Sequence, residues 1–276
     1  MSADDGLITT ISVRRRARIS LTMIACDAEA GLDACLSSAD DLFDETIVVD
    51  TGSTDRTVDV ARARGARVFD FVWVDDFAAA RNAALARAKG DYAFWLDADD
   101  RIEPLQRLRL AALLNGLESE DPSAYAMPSI AEGSGATLDE VRLVPVREDV
   151  RWSGRVHERL EPDLRRAGIA LRRADVAIRH VGGDAARARR ELERALAILE
   201  DELRGRLDEP DAPAIECAAW LVDRAGLRPR PGGMDYRDAY ALFARAHEIL
   251  GEADAARLWR GVVAAAPIER GAGTGR

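Results

Sequence analysis

The chain has 276 residues, 47% hydrophobic and 32% charged, a balance that suits one large domain with a clear core plus a smaller appendage. Its formal net charge of -10 argues against a nucleic-acid partner, because phosphate binding needs a basic surface. A single lysine, Lys89, precedes Gly90 and Asp91, so no Gly-Lys-Ser/Thr phosphate loop exists.

Residues 1–17 read as a flexible leader, with Arg14, Arg15 and Arg16 as a solvated run rather than a nucleic-acid or membrane patch. Charges from Asp4 onward interrupt any apolar signal core. No segment has the roughly 18 apolar residues of a membrane span. The cysteines Cys26, Cys35 and Cys217 have no CxxC spacing, so no disulfide framework or zinc knuckle is indicated and a reducing cytoplasm is the expected compartment.

Arg18 to Ala25 is a short apolar run that reads as a buried strand, and Ala28 to Ala39 follows with helical apolar spacing. Thr46 to Asp50 reads as a second strand, ending on an acid and a Thr-Gly-Ser-Thr turn. A helix over 55–64, stopped by Gly65, leads to a third strand over 66–71. An alanine-rich helix over 77–89, ended by Gly90, leads to a fourth strand over 91–96. Strands alternating with such helices predict βαβ units and a doubly wound, mostly parallel sheet. Ligands in such sheets sit outside the carboxyl ends of the strands, where Asp27, Asp50, Asp97 and Asp99 all fall.

After Pro104 the spacing predicts a helix over 105–117, strands over 124–130 and 140–146, and a strand or pair of strands over 169–180. From Ala185 the chain turns helical to about residue 270, either as a helical-hairpin repeat or as a plain helical cap, with a disordered tail over 271–276.

Asp97 and Asp99 lie two apart directly after an apolar strand, and Asp100 makes a third acid in four residues. Residues two apart share a face of a strand, so both carboxylates can approach one hard cation such as Mg²⁺ or Mn²⁺. The alternative is an acidic turn with a helix cap. Three close carboxylates repel unless a cation or an arginine compensates them, which favours the metal.

The blocks ISLTMIACDAEAGLDACLSSA, ETIVVDTGSTDRTVDVA and DDFAAARNAALARAKGDYAFWLDADD closely resemble the inverting family 2 glycosyltransferases of GT-A fold, from Ile19 to Asp100. RWSGRVHERL and IRHVGG extend the resemblance to the subgroup with a Trp-x-Gly-x-x-His-Glu block and C-terminal, often tetratricopeptide-like helices. It implies a GT-A domain over residues 18–184, a helical region over 185–270 and a nucleotide-sugar donor, UDP-linked.

The resemblance also assigns roles. Asp50 is expected to accept the uracil N3 proton, and Arg81 to face a phosphate beside a structural Asn82. Asp97 and Asp99 take the DXD role, with His180 as a further metal ligand. Asp27 and Glu29 belong to the nucleotide loop, where Cys26-Asp27-Ala28-Glu29 departs from the Lys-Asn-Glu-Glu common in the subgroup. Glu158 is the first candidate general base, with His157 and Asp100 behind it. Asp55 is expected to brace its loop, and Trp152 either stacks on a sugar or fills the core.

The acceptor (small molecule, glycan, lipid-linked or peptide) is unspecified, and the C-terminal helices offer a surface for a homodimer. A sugar-1-phosphate nucleotidyltransferase would need a glycine-rich basic loop after the first strand. A haloacid-dehalogenase-type phosphatase would need a lysine after Lys89. The sequence offers neither. A catalytically silent nucleotide-sugar or protein-binding module is the remaining rival.

Overall fold

The computed structural model describes residues 16–182 apart from 118–121, 133–136 and 157, together with residues 194, 197, 198, 244 and 260. The expected leader, C-terminal helices and tail lie almost wholly outside the described residues, as does His157.

The first half alternates as expected: β1 (Ile19–Ala25), α1 (Glu29–Ser38), β2 (Glu45–Asp50), α2 (Thr57–Ala63), β3 (Arg67–Asp70), α3 (Phe77–Leu85) and β4 (Tyr92–Trp95). Then come β5 (Asp100–Arg101), α4 (Pro104–Asn115), β6 (Ala124–Ala131), β7 (Thr137–Pro145), α5 (Glu161–Arg166), β8 (Leu171–Arg173) and β9 (Ile178–His180). They form one sheet in the order β3-β2-β1-β4-β7-β6-β9-β5, with β8 paired to β6. β1 to β4 pair in parallel, whereas β7 runs antiparallel to both β4 and β6, so the sheet is mixed.

β1 is buried along almost its whole length, as a strand covered on both faces must be. Side-chain alternation in β4 divides the core in two. Tyr92 and Phe94 join Leu32, Cys35 and Leu36 of α1 and Leu110 and Leu114 of α4 on one face. Ala93 and Trp95 join Ala78 and Leu85 of α3, Val144 and Trp152 on the other. The start of β4 presses so closely on β1 that a Cβ on Gly90 would lie 2.7 Å from the Arg18 carbonyl oxygen and 2.9 Å from the Ser20 nitrogen. No helix among the described residues is long and apolar enough to cross a membrane.

Two connections matter for the site. Ala25 pairs with Asp50, so the loops after β1 and β2 leave the sheet side by side. β5 pairs antiparallel with β9, setting Asp100 opposite His180. Neither β5 nor α5 was predicted, since elements of two and six residues are too short to show a period.

Candidate metal centre

The chain turns sharply as it leaves β4. The Asp100 amide donates to the Asp97 carbonyl at 3.0 Å, and the Asp97 amide donates to Asp100 Oδ2 at 2.9 Å. The Val181 amide donates to the Asp99 carbonyl at 3.0 Å, fastening the turn to the end of β9. Asp97, Asp99, Asp100 and His180 each bring a ligand atom within 4.8 Å of the others. Three carboxylates with one imidazole suit a hard divalent cation such as Mg²⁺ or Mn²⁺.

The four groups are not equivalent. Asp100 is fully buried, with Oδ2 on Arg142 Nη1 at 2.6 Å and Oδ1 on His180 Nδ1 at 2.9 Å. Burial pushes its carboxyl up, but Arg142 and the His180 hydrogen bond outweigh this and hold it below the ordinary carboxylate value. A general base must reach the acceptor, so a buried carboxylate engaged on both oxygens is badly placed for that role. Asp99 lies 3.7 Å from His180 Nε2 through its Oδ2.

Arg81 stands beside the cluster on α3. Its Nη2 donates to Asp97 Oδ1 at 2.9 Å and its Nε donates to Glu158. Burial works against its charge, but Glu158 and Asp97 together raise its pKa, so it is a permanent cation. The guanidinium packs over Trp95 at 4.3 Å and Trp152 at 5.1 Å, and the two indoles meet edge-on at 5.4 Å. Trp152 is therefore a core residue. Arg81, expected to face a phosphate, bridges Asp97 and Glu158 in this structure.

Asn82 is structural, as expected. It donates to the Trp152 carbonyl at 2.9 Å and accepts from the Trp152 amide at 2.8 Å, clasping the segment that carries Glu158. Asn82→Asp would keep the acceptor but set a carboxylate against the carbonyl. A buried partner left unmatched costs about 1–3 kcal/mol. We expect a lower thermal midpoint and a weakened Trp152 near-UV signal. A midpoint equal to the parent would show that the clasp carries no stability.

The nucleotide-loop candidates Asp27, Glu29 and Asp50 sit at the ends of β1 and β2, on two loops that are bonded to each other. Asp27, at φ 46°, accepts from the Thr54 amide at 2.8 Å through Oδ1. Glu29 accepts from the Arg56 amide at 3.0 Å, and Asp55 accepts from the Glu29 amide at 3.0 Å. Asp55 also accepts from the Thr57 amide at 2.9 Å, which is the bracing role expected of it. Asp50 accepts from the Gly52 and Ser53 amides at 3.1 and 3.0 Å and from the Ser53 hydroxyl. That turn needs a left-handed residue, and Gly52 supplies φ 105°. Asp50 is thus a turn-capping aspartate here, and a carboxylate's four lone-pair positions leave it acceptor capacity.

The fold brings Asp97, Asp99, Asp100, His180, Arg81 and Glu158 together, and Asp27, Glu29 and Asp50 onto the adjoining loops. Arg142 and Glu140 on β7 escaped the sequence reading. The available signal was an arginine between the buried Val141 and Leu143, since a buried guanidinium requires carboxylates.

A family model described as Glycosyl transferase family 2 matches residues 20–161, just over half of the 276-residue chain. A TPR repeat-containing protein of Synechococcus elongatus is 38% identical over 154 residues, 54% of this chain and 36% of that protein. The glycosyltransferase SunS of Bacillus subtilis is 28% identical over 143 residues, 51% of this chain and 34% of that protein. The matches thus span about a third of the length of these curated relatives. Among solved structures, S. aureus TarS (residues 1–349) in complex with UDP-GlcNAc superposes with a TM-score of 0.51 at 14% identity, covering 88% of this chain and 90% of that one. A mycobacterial protein gives a TM-score of 0.50 at 20% identity, covering 78% and 77%. At these identities the superpositions speak for a shared GT-A fold.

Proposed function

Because the chain belongs to glycosyl transferase family 2, we propose that it moves a sugar from a nucleoside-diphosphate donor, UDP-linked, to an acceptor with inversion at the anomeric carbon. The observation that carries this reading is the convergence of Asp97, Asp99, Asp100 and His180 at the carboxyl end of β4. Asp97, Asp99 and His180 would hold Mn²⁺ or Mg²⁺, which when bound neutralises charge on a departing diphosphate.

The chain's own residues do the rest. Asp50, on the clasped pair of loops that also carries Asp27 and Glu29, accepts the N3 proton donor of a uracil ring with its remaining lone pairs. Arg81 holds Asp97 and Glu158 at fixed separation on the two sides of one guanidinium. Glu158, part-buried at the edge of the cluster, takes the acceptor's proton as its oxygen attacks the sugar, in a single displacement that inverts the anomeric centre. Asp100 is left to orient the site rather than to act as base.

The relative SunS is a glycosyltransferase by name, and the TarS structure holds UDP-GlcNAc, which makes UDP-sugars the donors to try first. UDP-glucose and UDP-N-acetylglucosamine with Mn²⁺ should raise the thermal midpoint and release UDP, and chelation should abolish both effects. Midpoints that no nucleotide sugar moves would overturn the reading. Binding without UDP release from any donor, with or without acceptor mixtures, would identify a silent binding module instead. A product of unchanged anomeric configuration would remove the single-displacement scheme.

A further inference from the structure

We propose that Arg142 is a positioning residue of the metal centre: through Asp100 it fixes His180 with its proton on Nδ1, so that Nε2 is presented beside Asp99. This rests on the metal reading above but concerns a residue outside the ligand set.

Arg142 lies on β7 among buried apolar neighbours, with its side chain 1% exposed. Such a burial is costly unless the guanidinium is well matched. Its Nη1 donates to Asp100 Oδ2 at 2.6 Å, and its Nη2 donates to Glu140 at 2.5 Å and to Ser129 Oγ at 3.2 Å. The guanidinium also stacks on Trp95 at 3.7 Å. Its Nε finds no acceptor among the described residues. One arginine is thus locked by three side chains and an indole, and the acid it holds faces the site.

Asp100 Oδ2 is taken by Arg142 and by the Asp97 amide, which leaves Oδ1 to face His180 Nδ1 at 2.9 Å. A carboxylate accepts and cannot donate, so the proton on this contact belongs to Nδ1. With the proton on Nδ1 the lone pair falls to Nε2, the nitrogen that lies 3.7 Å from Asp99 Oδ2. Carboxylate partners of this kind fix the tautomer and ring orientation of a ligating histidine, and losing them weakens metal binding about 10- to 100-fold.

Three measurements test the relay. In the metal-free parent protein, the ¹⁵N spectrum of His180, assigned against His180→Gln, should show the Nδ1–H tautomer; an Nε2–H tautomer overturns the proposal. Asp100→Asn keeps the shape of the side chain, but its carbonyl oxygen must serve Arg142 and the Asp97 amide. Its NH₂ then faces Nδ1 and drives the proton to Nε2. Arg142→Lys keeps the charge and loses the fork. Both variants should bind Mn²⁺ about 10- to 100-fold more weakly by calorimetry and shift His180 toward Nε2–H. Parent-like Mn²⁺ affinity with an unchanged tautomer in either folded variant overturns it. If Arg142→Lys does not fold, judged by circular dichroism, the isosteric Asp100→Asn carries the test. A parent protein that takes up no Mn²⁺ defeats the metal reading, while the tautomer spectra still decide the Arg142–Asp100–His180 relay.

Discussion

Asp99→Ala is expected to abolish the response to Mn²⁺ while leaving the metal-free protein as stable as before, or slightly more so. Asp99 is 5% exposed and shares a small space with Asp97 and Asp100. Asp97 and Asp100 keep their arginines in the variant, and one fewer acid beside them relieves what repulsion is left when no cation is bound. In excess Mn²⁺ the balance reverses. A site filled at a hundred times its dissociation constant adds about 2.7 kcal/mol to the parent protein, which for a domain of this size is roughly 5–10 °C in thermal midpoint. The variant should gain almost none of it. Release of UDP from a donor sugar should fall about 10²- to 10³-fold, corresponding to about 3–4 kcal/mol of lost charge stabilisation. Differential scanning fluorimetry with and without Mn²⁺, run beside a UDP-release assay, measures both effects. Equal Mn²⁺ stabilisation of parent and variant would sink the assignment.

Arg81→Ala should be strongly destabilising. The guanidinium joins Asp97 and Glu158, whose side chains are only 20% and 11% exposed. Removing one partner of a buried ion pair leaves the other charges uncompensated, at a cost of about 3–5 kcal/mol. It also strips one cation from over the Trp95 and Trp152 rings. We expect a midpoint lowered by roughly 10 °C. Arg81→Lys should recover only part of this, because a single ammonium cannot reproduce bonds made from Nε and Nη2 to two separate carboxylates. A loss below about 2 °C in the alanine variant would mean that the two acids find other partners, and that Arg81 does not hold Glu158 in place.

The first four strands were legible in the sequence because they are short apolar runs bounded by acids and glycines. The fourth, expected over 91–96, is β4, buried at each of its residues. The Asp97–Asp99 spacing was legible for the same reason, since a strand end fixes where the next two side chains go. The blocks around Asp50, Arg81 and Glu158 carried weight only through their family resemblance; their residue types alone do not single them out. What could not be read is pairing across distance. Nothing local links His180 to Asp100, 80 residues away, or Arg142 to the same acid, 42 residues away. Those contacts exist because β9 pairs antiparallel with β5 and β7 pairs antiparallel with β4. Nor could the sequence show that Arg81 also joins Asp97 to Glu158, 16 and 77 residues away.

On the donor-binding role proposed for these loops, the mutual bonding of residues 27–29 with residues 53–57 has a consequence for anyone altering donor choice. Asp27 is tied to Thr54, Glu29 to Arg56 and Asp55 back to Glu29. Each loop supplies what the other lacks, so neither side can be redesigned alone. Restoring an asparagine at position 27 changes what Thr54 meets, and a swap at position 54 changes what holds Asp27 in its left-handed backbone. Libraries aimed at a different nucleobase should therefore randomise the two loops as a single cassette, scored for epistasis between them rather than position by position.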